Sequence, residues 1–488
     1  MLSIEQIYSH DDWWDELNFS QLERNVRQLQ GRIYRATKKG DKKGAHNLMK
    51  LLVRSESAKL LAIYIITQKN KGRLTPGIDG KIYIISKDRM ELSKERFSYR
   101  RYKFQPVLRR YIPKAPEDWR TVIRGKRKNI ISKTELRPLG LMTIKDRVMT
   151  TILSFALTAK WEALLNPDVM GFRPGRSTQD AIQRIFMVLR KGYNVILDAD
   201  IHKFFDNIKH DIILNKLDTF RKVLQRCLTS GIIDKGKKLR TTKGIIQGNP
   251  VSPILANIAL HGLQQAIGDD GVAVIYADDF IIMSKTIPAM KQIIPNLAKF
   301  LRKRGLYLKR EKTRITDKRR GFNFLGFTIE QPRQKLFVKP QKERVKRFLD
   351  HMRSLIWSHK QMEQRKFIAL LNPMIRGWAN YYRFSDAYHA FSKVDHVIWK
   401  QIWRWALRRH NNNGKGKRWI YNKYYEMIEN RTWTFKVAKT GYTLMKASDI
   451  KRRKYKFTVE DKSPLDPNLM VKEYWKKRRY EEIRCAMA

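Results

Sequence analysis

The chain has 488 residues, and 102 Lys and Arg against 46 Asp and Glu give a formal net charge of +56 at pH 7. The length predicts about three or four folded units, and 42% hydrophobic residues with 11% aromatic residues predict buried cores, which excludes a low-complexity basic tail. A positive charge of this size predicts a polyanionic partner, with a membrane surface as the weaker alternative.

The N-terminal segment and the cysteines bear on the compartment. MLSIEQIYSHDDWWDEL is acidic and lacks an apolar core behind basic residues, so we expect no signal peptide. No run approaches the roughly 18 apolar residues of a membrane span. Two cysteines, Cys227 and Cys485, are too few for a disulfide framework or a thiolate zinc cluster. We therefore expect a bacterial or organellar interior, association with nucleic acid and no membrane.

The first third of the chain is predicted to be helical and then basic. Apolar residues recur at helical spacing between about residues 20 and 70, and basic residues fill the other face. The segment GRLTPGIDG, residues 72–80, is a turn-rich loop. Residues 96–133 contain IPKAPEDWR and RGKRKNIISK, which are typical of a phosphate-facing loop or hairpin.

From Leu136 to Ile329 helical and strand periods alternate, which predicts an α+β unit with an antiparallel sheet. Short strands are expected at 195–197, 272–276 and 280–283. After Lys335 the pattern is helical and rich in Trp and Arg, which predicts a basic helical bundle with most tryptophans in its core. Residues 436–488 are polar and charged, and no structure is predicted there.

Two acidic segments of the α+β unit are candidates for a catalytic metal site. VAVIYADDFIIMS, residues 272–284, predicts a hairpin with Asp278 and Asp279 at its tip, although turn chemistry alone can select such residues. In VILDADIHKFFDNI, residues 195–208, strand alternation puts Asp198 and Asp200 on one face. Clustered carboxylates repel one another unless metal ions neutralise them, and two-metal phosphoryl transfer needs such a cluster.

Seven ordered motifs resemble those of reverse transcriptases, over nearly the whole chain. They are LRPLGLMTIKDR at 136–147, MGFRPGRSTQD at 170–180, DADIHKFFDNI at 198–208, KGIIQGNPVSPILAN at 243–257, YADD at 276–279, GLYLKREKT at 305–313 and GFNFLGF at 321–327. Within that family, the helical N-terminal extension and the segments LNPMIRGWANYYRF and IWRWALRRH resemble group II intron-encoded proteins.

The resemblance implies an α+β right-hand polymerase fold. The fingers and palm, with an antiparallel sheet, would span 106–335 after a helical N-terminal extension that includes the start of the fingers at 1–105. An α-helical thumb or maturase domain would follow at 336–425. A basic, DNA-binding-like region would occupy 426–488, and because paired Cys motifs do not follow it, no HNH endonuclease is expected.

The resemblance also implies residue roles. Asp200 and Asp278 would ligate two Mg²⁺ ions, for which Mn²⁺ can substitute, with Asp279 ligating or orienting them and the Ile201 carbonyl completing a shell. The expected nucleotide-binding residues are Lys114, Arg137, Phe205, Gln247, Gly248 and Lys312. The adjacent Phe204 is expected to be a core residue, since neighbouring residues on an extended segment face opposite ways. The expected RNA-binding residues are Arg404, Arg408 and Arg409. Because the loop between Lys114 and Arg137 is longer than usual in the family, Lys126 or Lys128 can take the place of Lys114.

The function implied is RNA-directed DNA polymerisation. The chain would extend a DNA primer on an RNA template with dNTPs, bind group II intron RNA to assist splicing, and act on target DNA during mobility. One alternative is a splicing-only, RNA-binding maturase, and another is a reverse transcriptase repurposed for phage defence. The three intact aspartates favour the enzyme over the splicing-only maturase.

Overall fold

The computed structural model describes residues 13–114, 136–410, 415–428, 431–437, 440–457 and 462–487. These residues form two compact units. The first lies within Met1–Ala181, Leu197–Ile315 and Thr458–Arg478, and the second within Ile182–Ile196, Thr316–Phe457 and Arg479–Ala488. No helix in the described ranges combines the length and the apolar character that a membrane crossing requires.

The N-terminal helices of the first unit confirm the predicted helical segment. They are α1 (Phe19–Lys38), α2 (Lys42–Arg54), α3 (Glu56–Tyr64), which continues into a π-helical turn, and α4 (Ser86–Lys94). The Asn18 and Asp41 side chains cap α1 and α2 by accepting backbone N–H groups, as short polar side chains do at helix starts. The buried stripe of α1 packs on α5 (Ile144–Glu162), where Gln30 donates to the Phe155 carbonyl at 2.9 Å.

A first sheet of the same unit contains a strand from the predicted basic segment, of which residues 115–133 lie outside the described residues. Strand β1 (Val107–Pro113) pairs antiparallel with β2 (Leu136–Leu141) and parallel with β4 (Ile232–Asp234), which pairs with β5 (Lys237–Leu239). The pairs Ile112 with Arg137 and Pro113 with Leu136 bring the two ends of the long loop together.

A second four-stranded sheet has the order β6–β7–β3–β8. Its strands are β3 (Val195–Asp200), β6 (Gly271–Tyr276), β7 (Asp279–Ser284) and β8 (Arg314–Asp317). The three predicted strands are thus confirmed, and β6 and β7 form the predicted antiparallel hairpin. Helices before and after these strands complete the region: α6 (Thr178–Arg190), α7 (Phe204–Asn207), α8 (His210–Leu214), α9 (Arg221–Leu228), α10 (Ser252–Leu260), α11 (Leu263–Ile267) and α12 (Ile287–Lys303).

The second unit combines the predicted helices with short strands. Its helices are α13 (Lys342–Ser358), α14 (Gln364–Tyr382), α15 (Tyr388–His410) and α16 (Lys417–Tyr424). Its strands are β9 (Phe322–Phe324), β10 (Phe327–Glu330), β11 (Phe337–Pro340), β12 (Tyr425–Ile428) and β13 (Arg431–Phe435). The hairpin from β9 to β10 turns at Leu325 and Gly326, both with positive φ, and Tyr382 donates to the Gly326 carbonyl at 3.2 Å.

Two local expectations were wrong. Residues 204 and 205 do not lie on an extended segment, because they begin the short helix α7. A helix, α17 (Leu469–Met487), forms in the C-terminal region for which the sequence predicted no structure. That helix lacks an apolar stripe, which is the signal on which sequence reasoning depends.

Candidate active site

The turn between β6 and β7 carries two of the three predicted catalytic aspartates. Tyr276 pairs with Asp279, so Ala277 and Asp278 form a two-residue turn in which Ala277 has a φ of 61°. A loop passes directly beneath this turn, since a Cβ atom on Gly171 would lie 2.2 Å from the Ala277 nitrogen. The amide of Asn257 donates to the Gly171 carbonyl at 3.0 Å and fixes that loop.

Asp200 ends strand β3, which neighbours β7 in the sheet. The Asp200 carbonyl accepts from the Lys309 backbone N–H at 2.7 Å, so the chain after α12 is bound to the end of β3. This places Lys312 beside the carboxylate, with 3.0 Å between the ammonium nitrogen and Oδ2 of Asp200. That hydrogen bond raises the pKa of Lys312 above its ordinary value.

The aspartates share one electrostatic field. Asp279 is exposed at the turn, yet the protein around its carboxylate displaces water. This desolvation and the negative charge of three neighbouring aspartates raise the pKa of Asp279 to about 6. Those neighbours are Asp278, Asp200 and Asp198. Desolvation also raises the pKa of Asp278 and of Asp198, and the Asp200 charge raises both further.

The chemistry of this cluster fits divalent cations. Among the described residues, no three His, Cys, Asp or Glu side chains already converge as a metal-binding group. The negative charge of Asp200 raises the pKa of Asp198, Asp278 and Asp279, however, and a divalent ion would offset this repulsion. Carboxylate oxygens are also the ligands that Mg²⁺ prefers. Cation binding at Asp200 would compete with the Lys312 ammonium.

Predicted nucleotide-binding residues lie on adjoining segments. The Gln247 carbonyl accepts from the Gly140 N–H of β2 at 2.8 Å. Gly248 has a φ of 100°, and a Cβ atom there would lie 2.9 Å from Leu139 Cδ1, so glycine is required by conformation and by space. The Ile245 N–H donates to the Phe205 carbonyl at 2.7 Å, which joins the same loop to the start of α7.

The neighbouring phenylalanines differ in burial. Phe204 is 2% exposed, which confirms the prediction of a core residue, whereas Phe205 is only partly buried. The Phe205 ring meets Phe204 edge-on at 5.2 Å and Phe172 edge-on at 6.5 Å. Because α7 is helical, the difference arises from the turn of a helix and not from strand alternation.

Among the remaining predicted residues, Arg137 and Ile201 lie near the predicted catalytic aspartates. Arg137 is close enough to Asp278 to oppose the rise in that aspartate's pKa. Ile201 is buried and forms a bridge with Leu308, and Lys114 follows the last residue of β1. Lys126 and Lys128 lie outside the described residues.

Sequence reasoning did not select Gly171 or Phe172. Gly171 lies beneath the turn between β6 and β7, and Phe172 lies beside Phe205. The only signal was their place inside the MGFRPGRSTQD motif.

The three predicted RNA-binding arginines line one cleft of the second unit. Arg404, Arg408 and Arg409 on α15 face a space of about 360 Å³ with α13 on its other side. The lining residues are Arg353, Ile356, Trp357, Lys360, Gln361, Gln401, Arg404, Trp405, Arg408 and Arg409. The Arg408 guanidinium lies 3.9 Å from the centre of the Trp357 ring. Trp405 is 4% exposed, as predicted for a core tryptophan, but Trp357 is 47% exposed.

Three family models match the chain. They are described as reverse transcriptase (RNA-dependent DNA polymerase) at residues 112–329, N-terminal domain of reverse transcriptase at 14–95, and group II intron, maturase-specific domain at 345–425.

Several curated proteins are similar to this chain. Protein YkfC of Escherichia coli is 25% identical, over 60% of this chain and 87% of its own length. Maturase-like protein 1 of Euglena gracilis is 25% identical, over 75% of this chain and 77% of its own length. The group II intron-encoded protein LtrA of Lactococcus lactis subsp. cremoris is 27% identical, over 41% of this chain and 31% of its own length.

Proposed function

The chain belongs to the group II intron-encoded reverse transcriptases and is an RNA-directed DNA polymerase, and from this premise we propose that Asp200, Asp278 and Asp279 support DNA synthesis by a two-metal mechanism. The observation that carries the proposal is the shared field of these aspartates, in which the pKa of Asp279 rises to about 6. Carboxylates placed this close together repel one another unless cations lie between them. Their arrangement therefore favours a metal-binding role over a purely structural one.

When bound, two Mg²⁺ or Mn²⁺ ions supply Lewis-acid activation of the attacking oxygen and stabilise the leaving group. Asp200 and Asp278 would hold these ions, Asp279 would hold or orient them, and the Ile201 carbonyl would add a ligand. The Lys312 ammonium is kept protonated by Asp200 and stabilises charge on the departing pyrophosphate.

The remaining residues position the incoming dNTP. Arg137 and Lys114 bind its triphosphate, Arg as a fork and Lys as a point charge. Gln247 and Gly248 bring backbone close to the nucleotide, and the partly exposed Phe205 ring lies against C2′ of its sugar.

The test is primer extension by Asp278→Asn on an RNA template. We expect extension below about a tenth of the wild-type rate, since the change removes a metal ligand at the reaction centre. Asp270→Asn is the matched control, because it removes the same charge from an exposed turn just before β6. If the Asp278→Asn enzyme extends the primer as fast as the control does, the metal assignment is excluded.

A second function, intron RNA binding, is favoured by the cationic cleft of the second unit. Every charged residue that lines it is basic. The Arg408 and Lys360 cations lie 3.9 and 4.9 Å from the centre of the Trp357 ring, so a cation–π contact holds them at the cleft. The Arg409 guanidinium donates to the Met362 carbonyl at 2.7 Å. Guanidinium groups held at fixed positions suit RNA phosphates.

The test replaces Arg404, Arg408 and Arg409 with Gln and measures intron RNA affinity, splicing and extension. The matched control replaces Lys342, Lys346 and Arg347, three exposed cations of α13, and so removes the same charge from the same unit. We expect the cleft variant to lose at least about tenfold more RNA affinity than the control, since the cleft cations act at fixed positions. Equal losses of RNA affinity would show that the cleft cations contribute no more to RNA binding than other exposed cations do.

Domain boundaries follow from this proposal. The helical extension and the start of the fingers occupy 1–105, fingers and palm 106–335, the thumb or maturase domain 336–425, and the basic DNA-binding-like region 426–488. Mobility of the intron would then involve target DNA at the last of these. RNA around the gene that folds as a group II intron would favour this function over a role in phage defence.

A further inference from the structure

We propose that Arg478 and Trp475 are positioning residues for DNA synthesis. Residues 462–478, the anchor segment, fix the support loop, residues 171–177, on which the catalytic turn rests. The proposal rests on the proposed function in one respect, which is that the turn at Asp278 carries the chemistry. The sequence predicted a basic, DNA-binding-like region here and no role at the active site.

The first contact is a buried ion pair. Nη2 of Arg478 lies 3.2 Å from Oδ2 and 3.3 Å from Oδ1 of Asp180. The Asp180 side chain is 0% exposed and that of Arg478 is 9% exposed. A buried carboxylate is costly unless it is paired and hydrogen-bonded, so loss of Arg478 would leave Asp180 in a strongly unfavourable place.

Asp180 connects this pair to the support loop. Its Oδ2 atom accepts from the Ser177 backbone N–H at 2.9 Å and from the Ser177 hydroxyl at 2.8 Å. Ser177 is the last residue of the loop and directly precedes α6. Arg478 therefore holds the carboxylate that holds the end of the loop.

The second contact covers the loop itself. A Cβ atom on Gly175 would lie 2.5 Å from Cη2 of Trp475 and 2.6 Å from Cγ of Pro464, and Gly175 has a φ of 69°. The anchor segment thus packs against the loop so closely that only glycine fits there.

The anchor segment is also held at its beginning. A Cβ atom on Gly31 of α1 would lie 3.3 Å from the Leu465 carbonyl oxygen. Leu465 is 6% exposed and Ser463 is 3% exposed. The segment is therefore built into the first unit and is not a solvated tail.

The other end of the support loop reaches the chemistry. Gly171 lies against the backbone of Ala277 in the catalytic turn, and Phe172 lies 6.5 Å from the Phe205 ring. The buried guanidinium of Arg173 donates to Glu162 at 2.9 Å and to the Asn166 carbonyl at 2.8 Å, which stiffens the loop between its ends. Movement at Ser177 is thus carried toward the catalytic turn.

The test compares Arg478→Gln with Lys477→Gln in the full chain. Lys477 is the exposed neighbour on the same helix, so both variants lose one positive charge from nearly the same place. We expect kcat for extension on an RNA template to fall at least about tenfold in Arg478→Gln, since small misplacements of reacting groups cost that much. We expect KM for the template–primer to agree within about twofold between the two variants, because the charge loss is the same.

A rescue variant separates positioning from RNA contact and from misfolding. Asp180→Asn combined with Arg478→Gln removes the buried negative charge that Arg478 balances, and we expect it to recover most of the lost kcat. Thermal unfolding of each variant fixes an assay temperature at which all are folded. A kcat of Arg478→Gln equal to that of Lys477→Gln, or a loss that Asp180→Asn does not recover, would overturn the proposal. Failure of the proposed function looks different, since Asp278→Asn would then extend as fast as Asp270→Asn, whatever the result for Arg478→Gln.

Discussion

Asp279 responds to pH in the range where polymerases are assayed. Its pKa is raised to about 6, so the metal-free carboxylate becomes protonated as the pH falls through that value. A proton and a divalent ion compete for the same oxygens. We expect extension to fall below about pH 6, and the midpoint of that fall to move to lower pH as Mg²⁺ concentration rises. Single-nucleotide extension between pH 5 and 8 at two Mg²⁺ concentrations measures this, and a midpoint independent of Mg²⁺ would contradict it.

The same residue links pH to stability. Because the folded-state pKa of Asp279 lies above its unfolded value, its contribution to stability is full at low pH and is lost as the pH rises through about 6. Asp279→Asn removes the repulsion, so the metal-free variant should melt about 1–3 °C above the wild type at pH 7.5. The difference should shrink at pH 5. Calorimetry with a chelator measures it, and a lower melting temperature at pH 7.5 would contradict the sign.

Phe205 is expected to select the sugar. An aromatic ring against C2′ fills the volume of a 2′-hydroxyl and offers it no hydrogen bond, which costs roughly 1–3 kcal/mol. Phe205→Ala should therefore raise ribonucleotide incorporation relative to deoxynucleotide about ten- to a hundredfold. Phe204→Ala is the control, because Phe204 is 2% exposed and its loss should mainly lower stability. Equal sugar selectivity in wild type and Phe205→Ala would remove the assignment.

At the scale of single residues, sequence was informative where a side chain has a chemical reason to be present. The aspartates could be found because acids at strand ends have few structural uses. Gly171 could not be found in this way, because its role depends on a contact that is distant in sequence. A Cβ atom on Gly171 would lie 2.2 Å from the backbone nitrogen of Ala277, which is 106 residues further along the chain. Phe204 was assigned correctly to the core, but from a strand alternation that α7 does not have.

Among the elements, the support loop has no room for a methyl group at Gly171. Gly171→Ala would drive a Cβ atom into the backbone of the catalytic turn, and overpacking of this kind costs typically 1–3 kcal/mol. We expect lower stability and slower extension. Gly377→Ala is the control, because a Cβ atom on that glycine of α14 meets nothing within 4 Å, and alanine there should be neutral or slightly stabilising. Similar behaviour of the two variants in melting and extension would contradict the close contact.

Elements were predictable in proportion to their apolar pattern. Strands β3, β6 and β7 have buried, β-rich sequences, and their approximate positions followed from them. Helix α17 has almost no amphipathic pattern, and its described part is held by Trp475 and by the pair of Arg478 with Asp180. Strands β12 and β13 were missed because Trp and Tyr in them pack on each other and not in a simple alternation.

For the whole molecule, a net charge of +56 makes RNA binding depend strongly on salt. Each phosphate neutralised by Lys or Arg releases counterions, so affinity should fall by orders of magnitude between about 50 and 200 mM salt. Titration of a labelled RNA at several salt concentrations measures the slope. A flat dependence would contradict a dominant role for backbone phosphates. Composition alone predicted this property, because net charge does not depend on how the chain folds.

The pair of Arg478 with Asp180 joins positions 298 residues apart and so has a consequence for the order in which the protein is made. During synthesis Asp180 leaves the ribosome long before its partner exists. The strands that carry Asp200, Asp278 and Asp279 can form in that interval, but Asp180, which holds the end of the loop beneath them, still lacks Arg478. Contacts over such sequence distances also form late in folding. We expect a nascent chain to hold its catalytic aspartates in place before it can copy RNA efficiently.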